Sequence, residues 1–357
     1  MARDRLYLGM KRNILAITGA LALAACVESP DLGEEAAAVK NGGGFDCDVL
    51  GCSSNSAWLG PFEFHELDET RQQANLEGLR ITSFKKNGLD YEVDVTNASL
   101  VARRYWMGIP FTLSGANLVG STMTVQGHGR TFEILFLAHF LQPLWQEKQL
   151  GQSVDAFDLR WYEEATGTAR QPVCKNPPQG KDGDPLWTSN MEAIFYTGDR
   201  YRRDTLEVIA SNPREAGPWF NIACAGNVLA KLAMNRHTHA TRGPTVTTWQ
   251  QRQAMLKMYT SDVCGTGDAF TVSGTPLKWE SKWGWESPTY YATPEALWNE
   301  EGALCLGTHR LNKTPDDMDS QIATACAAVG RTLEPCSSYV PSTTAYLATH
   351  SAAAVDP

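Results

Sequence analysis

The spacing of apolar positions changes along the chain, and each change predicts a different kind of element. Residues 14–25 are an uncharged, mostly apolar run behind a basic start of Arg3, Arg5, Lys11 and Arg12. Residues 27–44 (VESPDLGEEAAAVKNGGG) hold almost nothing to bury and read as an acidic tether. From residue 79 the apolar positions tend to alternate, in 79–84 (LRITSF), 91–96 (YEVDVT), 121–127 (STMTVQG) and 131–136 (TFEILF). These runs are rich in β-branched and aromatic residues, so they predict strands. Segments 157–162, 191–196 and 205–209 are further strand candidates, and Asn87-Gly88 and Gly127-His128-Gly129 punctuate the series as turns. Residues 174–187 read as a loop. Beyond Phe220 the period lengthens. Residues 224–234 carry Val228, Leu229 and Leu232 at helical spacing, and residues 249–260 carry Met255, Leu256 and Met258. Thr314 predicts the cap of a third helix, with Pro315 at its first position and Asp316 and Asp317 in its first turn, running to about Ala328.

Strands first and helices afterwards predict an α+β fold, with a strand-rich N-terminal part and a smaller helix-containing part. The expected organisation is a signal segment at 1–25, a tether at 26–44, a β-rich region at 45–215, a second α+β region at 216–340 and a flexible tail at 341–357. No internal repeat is visible.

A basic start followed by a short apolar run is the pattern of an export signal. Its 12 uncharged residues fall short of the ~20 that a helix needs to span a bilayer. The run ends in Leu23-Ala24-Ala25-Cys26, which resembles the lipobox of bacterial lipoproteins. That resemblance implies cleavage after Ala25, acylation of Cys26 and a membrane contact through the lipid. Val27 stands where an aspartate would favour the inner membrane, which points to the outer one.

The net charge of −9 argues against nucleic-acid binding, because an acidic surface repels phosphate backbones. Removing the first 25 residues, with four basic side chains and one acidic, leaves the chain more acidic still. Of nine cysteines, Cys26 is assigned to lipid, leaving Cys47, Cys52, Cys174, Cys224, Cys264, Cys305, Cys326 and Cys336. An even number in an exported chain predicts a disulfide framework. The spacings lack paired C-x-x-C knuckles and so argue against zinc. The expected pairs are Cys47–Cys52, Cys174–Cys224, Cys264–Cys305 and Cys326–Cys336.

Three blocks between about Asn221 and Arg310 resemble the bacterial ADYC domain family. They are Ala223-Cys224-Ala225-Gly226 with Leu229-Ala230-Lys231, then Gln253-Ala254-Met255-Leu256-Lys257-Met258 with Ser261-Asp262-Val263-Cys264-Gly265-Thr266-Gly267, then Gly274-Thr275-Pro276 with Gly302-Ala303-Leu304-Cys305. The resemblance implies a fold context and no activity. The naming motif stands here as Ser-Asp-Val-Cys, and Leu232 and Met255 occupy positions where the family carries cysteines. Both replacements are apolar, so the two side chains are expected to pack together between the helices.

The candidate chemistry is sparse. His65-Glu66 begins like a zinc-protease helix, but Glu69 stands where the second imidazole is needed. His237 and His239 alternate as a metal pair could, without an evident third ligand. Asp182-Gly183-Asp184 lacks the remaining ligands of a calcium loop. Gly265-Thr266-Gly267 lacks the third glycine of a dinucleotide loop, and no G-x-S-x-G elbow occurs. His128 reads as a hairpin-tip residue. No cofactor is expected. Trp279, Trp283, Trp285, Tyr290 and Tyr291 crowd together, either as a platform for a sugar or partner protein or as core filling. The functional expectation is a lipid-anchored envelope protein that binds a glycan or another envelope protein. The alternatives are an envelope hydrolase with a site assembled from distant residues, or a structural or adhesive protein.

Overall fold

The computed structural model describes residues 57–350, apart from 64, 97, 144–152, 168, 175–191, 198, 203–204, 210–217, 225–227, 236–246, 272–276, 282–293, 311–317 and 338–344. Strands of three or more residues run β1 (Glu66–Asp68), β2 (Arg80–Lys86), β3 (Glu92–Thr96), β4 (Ser99–Trp106), β5 (Ile109–Ser114), β6 (Thr122–Gly127) and β7 (Arg130–Pro143). They continue with β8 (Ser153–Glu163), β9 (Ala193–Thr197), β10 (Arg200–Arg202), β11 (Glu207–Ile209) and β12 (Trp219–Cys224). Helices α1 (Val228–Met234) and α2 (Trp249–Thr260) follow, then β13 (Lys278–Ser281), β14 (Pro294–Asn299), β15 (Gly302–Leu306), α3 (Met318–Ala328) and β16 (Leu347–His350). The fold is α+β, with a strand-rich part preceding a smaller helix-containing part.

The largest sheet has the order β1-β12-β9-β8-β7-β6-β2, with the short strand Leu89–Asp90 outside β2. Its pairs are antiparallel. Strands buried on both faces need apolar residues at every position rather than every second one. Ala193 to Tyr196 of β9 read that way, and all six residues of β12 are buried, its polar Asn221 donating to Asp199 O at 3.0 Å. On one face, the rings of Phe84, Phe136, Phe157, Phe195 and Phe220 follow one another at centroid distances of 5.4–6.1 Å. The sheet β3-β4-β5 packs into this core through Val93, Val95, Leu100 and Ala102. The opposite face, through Ile194, Tyr196 and Ala223, joins a second core built from α1, α2, α3 and a second sheet. That sheet has the order β13-β16-β14-β15, extended by Glu334–Pro335, which runs parallel to β15.

Several expectations are corrected. Cys224 closes β12 rather than opening a helix, and α1 begins at Val228. The strand expected at 131–136 runs on through Pro143, past a bulge that leaves Leu137 unpaired with β8. The segment expected as a flexible tail supplies β16, a central strand of the second sheet, because its apolar Leu347 fills the gap beside Trp298. Residues 99–114, which carry no alternation signal, form β4 and β5.

Cys174–Cys224 is bridged as expected. The other two pairs cross over, as Cys264–Cys326 and Cys305–Cys336, each with Cα atoms 4.9 Å apart. Cys264–Cys305 and Cys326–Cys336 are therefore incorrect pairings. The reason is tertiary: α3 lies against the turn after α2, and the chain leaving α3 returns alongside β15. Cys26, Cys47 and Cys52 lie outside the described residues. Leu232 and Met255 are both fully buried in the second core, on α1 and α2.

Candidate functional site

The family motif lies at the end of α2. Thr248 caps the helix start: its hydroxyl accepts from Gln251 N–H while the Gln251 side chain accepts from Thr248 N–H. Along the helix, Trp249, Gln253 and Lys257 are spaced one turn apart and share a face. Trp249 Nε1 donates to Val208 O at 2.8 Å, Gln253 Nε2 donates to Leu206 O at 2.9 Å, and Lys257 Nζ donates to Thr205 O at 3.0 Å. This row ties α2 to the backbone carbonyls of Thr205, Leu206 and Val208. Arg252 pairs with Asp199, both almost wholly buried. These contacts explain why α2 is buried at polar as well as apolar positions from Arg252 to Thr260.

Ser261 ends the helix in the left-handed region at φ +54°. Asp262 then accepts from Lys257 Nζ at 2.5 Å, Thr266 N at 2.9 Å and Gly267 N at 2.9 Å. The Ser-Asp-Val-Cys-Gly-Thr-Gly run is therefore a carboxylate-centred turn. Gly265 within it has φ +74°, and a Cβ there would lie 2.0 Å from Glu301 O, so a side chain is excluded. Arg331 fastens the turn from outside by donating to Cys264 O, Glu301 O and Ala303 O at 2.7–2.8 Å. Cys264 is itself tied to α3 by its bridge. The motif works as a junction between α2, the second sheet and α3.

Two arrangements resemble catalytic triads and fail on geometry. Ser261 Oγ lies 3.1 Å from His309 Nε2, and Glu295 Oε1 lies 3.9 Å from the same nitrogen. A relay needs the serine and the carboxylate on different ring nitrogens. All three residues are at most 1 % exposed, which also shuts out a substrate. Burial pushes His309 down to about 4, so the ring is neutral at neutral pH. Burial opposes ionisation of Glu295, but Arg310, donating at 2.8 and 3.1 Å, outweighs it and holds the carboxyl below its ordinary range. In the second arrangement Ser99 Oγ donates to Asp155 Oδ2 at 2.5 Å, and His139 Nε2 lies 2.6 Å from Oδ1. The carboxylate stands between hydroxyl and imidazole, so the imidazole cannot take the serine proton. This cluster instead ties the start of β4 to β7 and β8. Lys231 is pushed down to about 8, by burial first and by Arg310 second, and its ammonium sits 5.7 Å from the centre of the Tyr259 ring.

The remaining candidates separate. Trp279 is 9 % exposed and meets Tyr259 edge-on at 6.3 Å, so it fills the second core and presents no platform. Trp283, Trp285, Tyr290 and Tyr291 lie outside the described residues, as do His237, His239 and Asp182 to Asp184. His65 is buried and donates through Nε2 to Tyr201 O at 2.9 Å. His128 is at a hairpin tip, as expected, with φ +52°; it stacks on Phe62 at 4.6 Å and donates to Glu77 O. No group of three or more metal-ligating side chains occurs among the described residues.

Two surface features remain. A polar groove of about 610 Å³ beside His128 is lined by Gln72, Arg80, Gln126, Arg130 and Thr131. Its amide and guanidinium donors suit a hydroxyl-rich ligand, and sequence reasoning missed it because its residues come from two segments, 72–80 and 126–131, far apart in sequence. The second feature is the β4–β5 hairpin, whose tip carries Tyr105, Trp106, Met107, Ile109 and Phe111, each 45–83 % exposed.

The family model described as the ADYC domain matches residues 115–312, more than half of the chain. Comparison with curated proteins and with solved structures returned no match.

Proposed function

The chain belongs to the ADYC domain family, and on that premise we propose that it is an exported envelope lipoprotein whose stapled domain binds a glycan or an envelope protein without chemistry of its own. The observation that carries the reading is the set of three bridges, which join segments 31 to 62 residues apart in sequence. Such bonds persist in oxidising compartments and are rare in the cytosol. The basic start, the apolar run and Leu23-Ala24-Ala25-Cys26 supply the route of export and the anchor. The outer membrane is the preferred address, because Val27 rather than an aspartate follows Cys26. Of the two ligand classes, the groove at Arg80 and Gln126 fits a glycan better, since its lining offers several directional donors.

Mass spectrometry of the native protein tests the location. We expect a mature N-terminus at Cys26 bearing acyl chains, with the remaining cysteines oxidised. An intact Met1 with free thiols overturns the reading. Glycan-array binding of the full mature protein tests the ligand class. Arg80→Ala with Gln126→Ala is expected to abolish the signal, and a wild-type protein that binds no glycan leaves the envelope-protein ligand in its place.

A further inference from the structure

We propose that the tip of the β4–β5 hairpin inserts into the interfacial layer of a lipid bilayer. The three-stranded sheet is anchored at one end only. Val93, Val95, Leu100 and Ala102 are buried against the large sheet, and Ser99 is held by Asp155. Along β4 the burial then fades, from Leu100 and Ala102 to half-buried Arg103 and Arg104, and finally to exposed Tyr105 and Trp106. Strand β5 has exposed residues at every position but Leu113 and forms a free edge of its sheet. The outer half of the hairpin therefore stands clear of the body.

What it carries there is unusual for an exposed surface. Pro110 blunts the edge strand, but scattered apolar side chains are ordinary on a surface and a contiguous cluster of them is not. Here Tyr105, Trp106, Met107, Ile109 and Phe111 are 62, 55, 83, 56 and 45 % exposed. The turn residues break a second rule. Trp106 pairs with Ile109 across Met107-Gly108, with φ +51° and +79°, a two-residue turn in which asparagine or glycine is preferred at the first position. Methionine is strained there and is the most exposed of the large apolar side chains described. A strained, solvent-facing methionine flanked by tryptophan and isoleucine gains nothing from the folded domain alone.

The chemistry favours lipid as the occupant. Tryptophan and tyrosine concentrate where acyl chains meet headgroups. Behind the tip sits the guanidinium of Arg104. Arg104 lies 5.8 Å from the Tyr91 ring and 6.0 Å from the Phe111 ring, and Arg103 pairs with Asp94. An apolar, aromatic tip backed by Arg104 follows the order of acyl layer and headgroup layer that a bilayer presents. Acylation at Cys26, on which the reading of reach rests, would tether the domain to a surface, with 31 residues between Cys26 and Trp58.

The test removes the anchor so that the two readings fail separately. The mature chain from residue 26, carrying Cys26→Ser, is mixed with phosphatidylethanolamine–phosphatidylglycerol vesicles, and partitioning is measured by sedimentation. We expect binding that falls at least tenfold in the triple variant Trp106→Ser, Met107→Ser, Ile109→Ser, with unchanged disulfide content and circular dichroism. Brominated lipids should quench the emission that is lost in Trp106→Phe. Absence of vesicle binding, equal binding by the triple variant, or unquenched Trp106 overturns the proposal, and the hairpin is then left to a protein partner. Vesicle binding by the unacylated chain upholds it even if native Cys26 proves unmodified.

Discussion

His309 stands between Ser261 and Glu295 at 1 % exposure, and its ring is neutral because burial outweighs the attraction of the carboxylate. The sign of its contribution follows directly. Between about 4 and the ordinary 6.5, the unfolded chain takes up a proton that the folded chain refuses. Stability therefore rises with pH through that window and is lost as pH falls towards 4. Glu69 acts in the opposite sense. Burial first and Asp94 second raise it to about 7, so the fold binds its proton more readily and loses stability as pH rises from 4.5. A variant comparison isolates the histidine. Between about pH 7 and pH 4.5 the wild type should lose on the order of 2 kcal/mol more unfolding free energy than His309→Gln. Urea titrations at the two pH values check this, and parallel losses would exclude His309 as the source. Among single residues, Gly265 and Gly267 mark a tight turn beside Cys264 in the sequence. That Asp262 gathers Lys257, Thr266 and Gly267 was not legible there, because a buried carboxylate and a solvated one are spelled alike.

At the scale of elements, the strands with alternating or continuously apolar runs were legible, and Trp249–Thr260 is a helix with the bounds its pattern gave. The β4–β5 hairpin was invisible for a physical reason. Alternation marks a strand only when one face is buried and the other wet, and both faces of its outer half are exposed. Its turn also lacks the Asn-Gly signature that marked Asn87-Gly88. This yields a prediction with a sign. Met107→Asn relieves the left-handed residue and should raise unfolding free energy by about 0.5–1 kcal/mol, while weakening vesicle binding. A lower urea midpoint would show that methionine is serving the fold. The second sheet was missed for another reason. Its strands are four to six residues long, and β13 and β14 are separated from partners in β16 by tens of residues.

For the whole molecule, the large sheet is shared by two cores on opposite faces; Cys174–Cys224 lies in the first and Cys264–Cys326 in the second. Closing a loop of 62 residues with Cys264–Cys326 removes about 4 kcal/mol of unfolded-chain entropy on the simple loop model. Cys264→Ser with Cys326→Ser should lower unfolding free energy by roughly 2–4 kcal/mol, measured by denaturant titration. A loss below about 1 kcal/mol would assign the junction's rigidity to Asp262 and Arg331 instead. The sequence by itself determined the α+β class, the Asn87-Gly88 turn and the bounds of the helix at Trp249–Thr260. Each depends on neighbours within one or two turns of chain. Tertiary structure alone decided which cysteines meet, that Trp279 is buried, that Leu347–His350 is a central strand and that the aromatic tip stands free. Those depend on which distant surfaces remove water from one another, and a hydrophobic side chain is written the same way whether it finds such a surface or is left exposed.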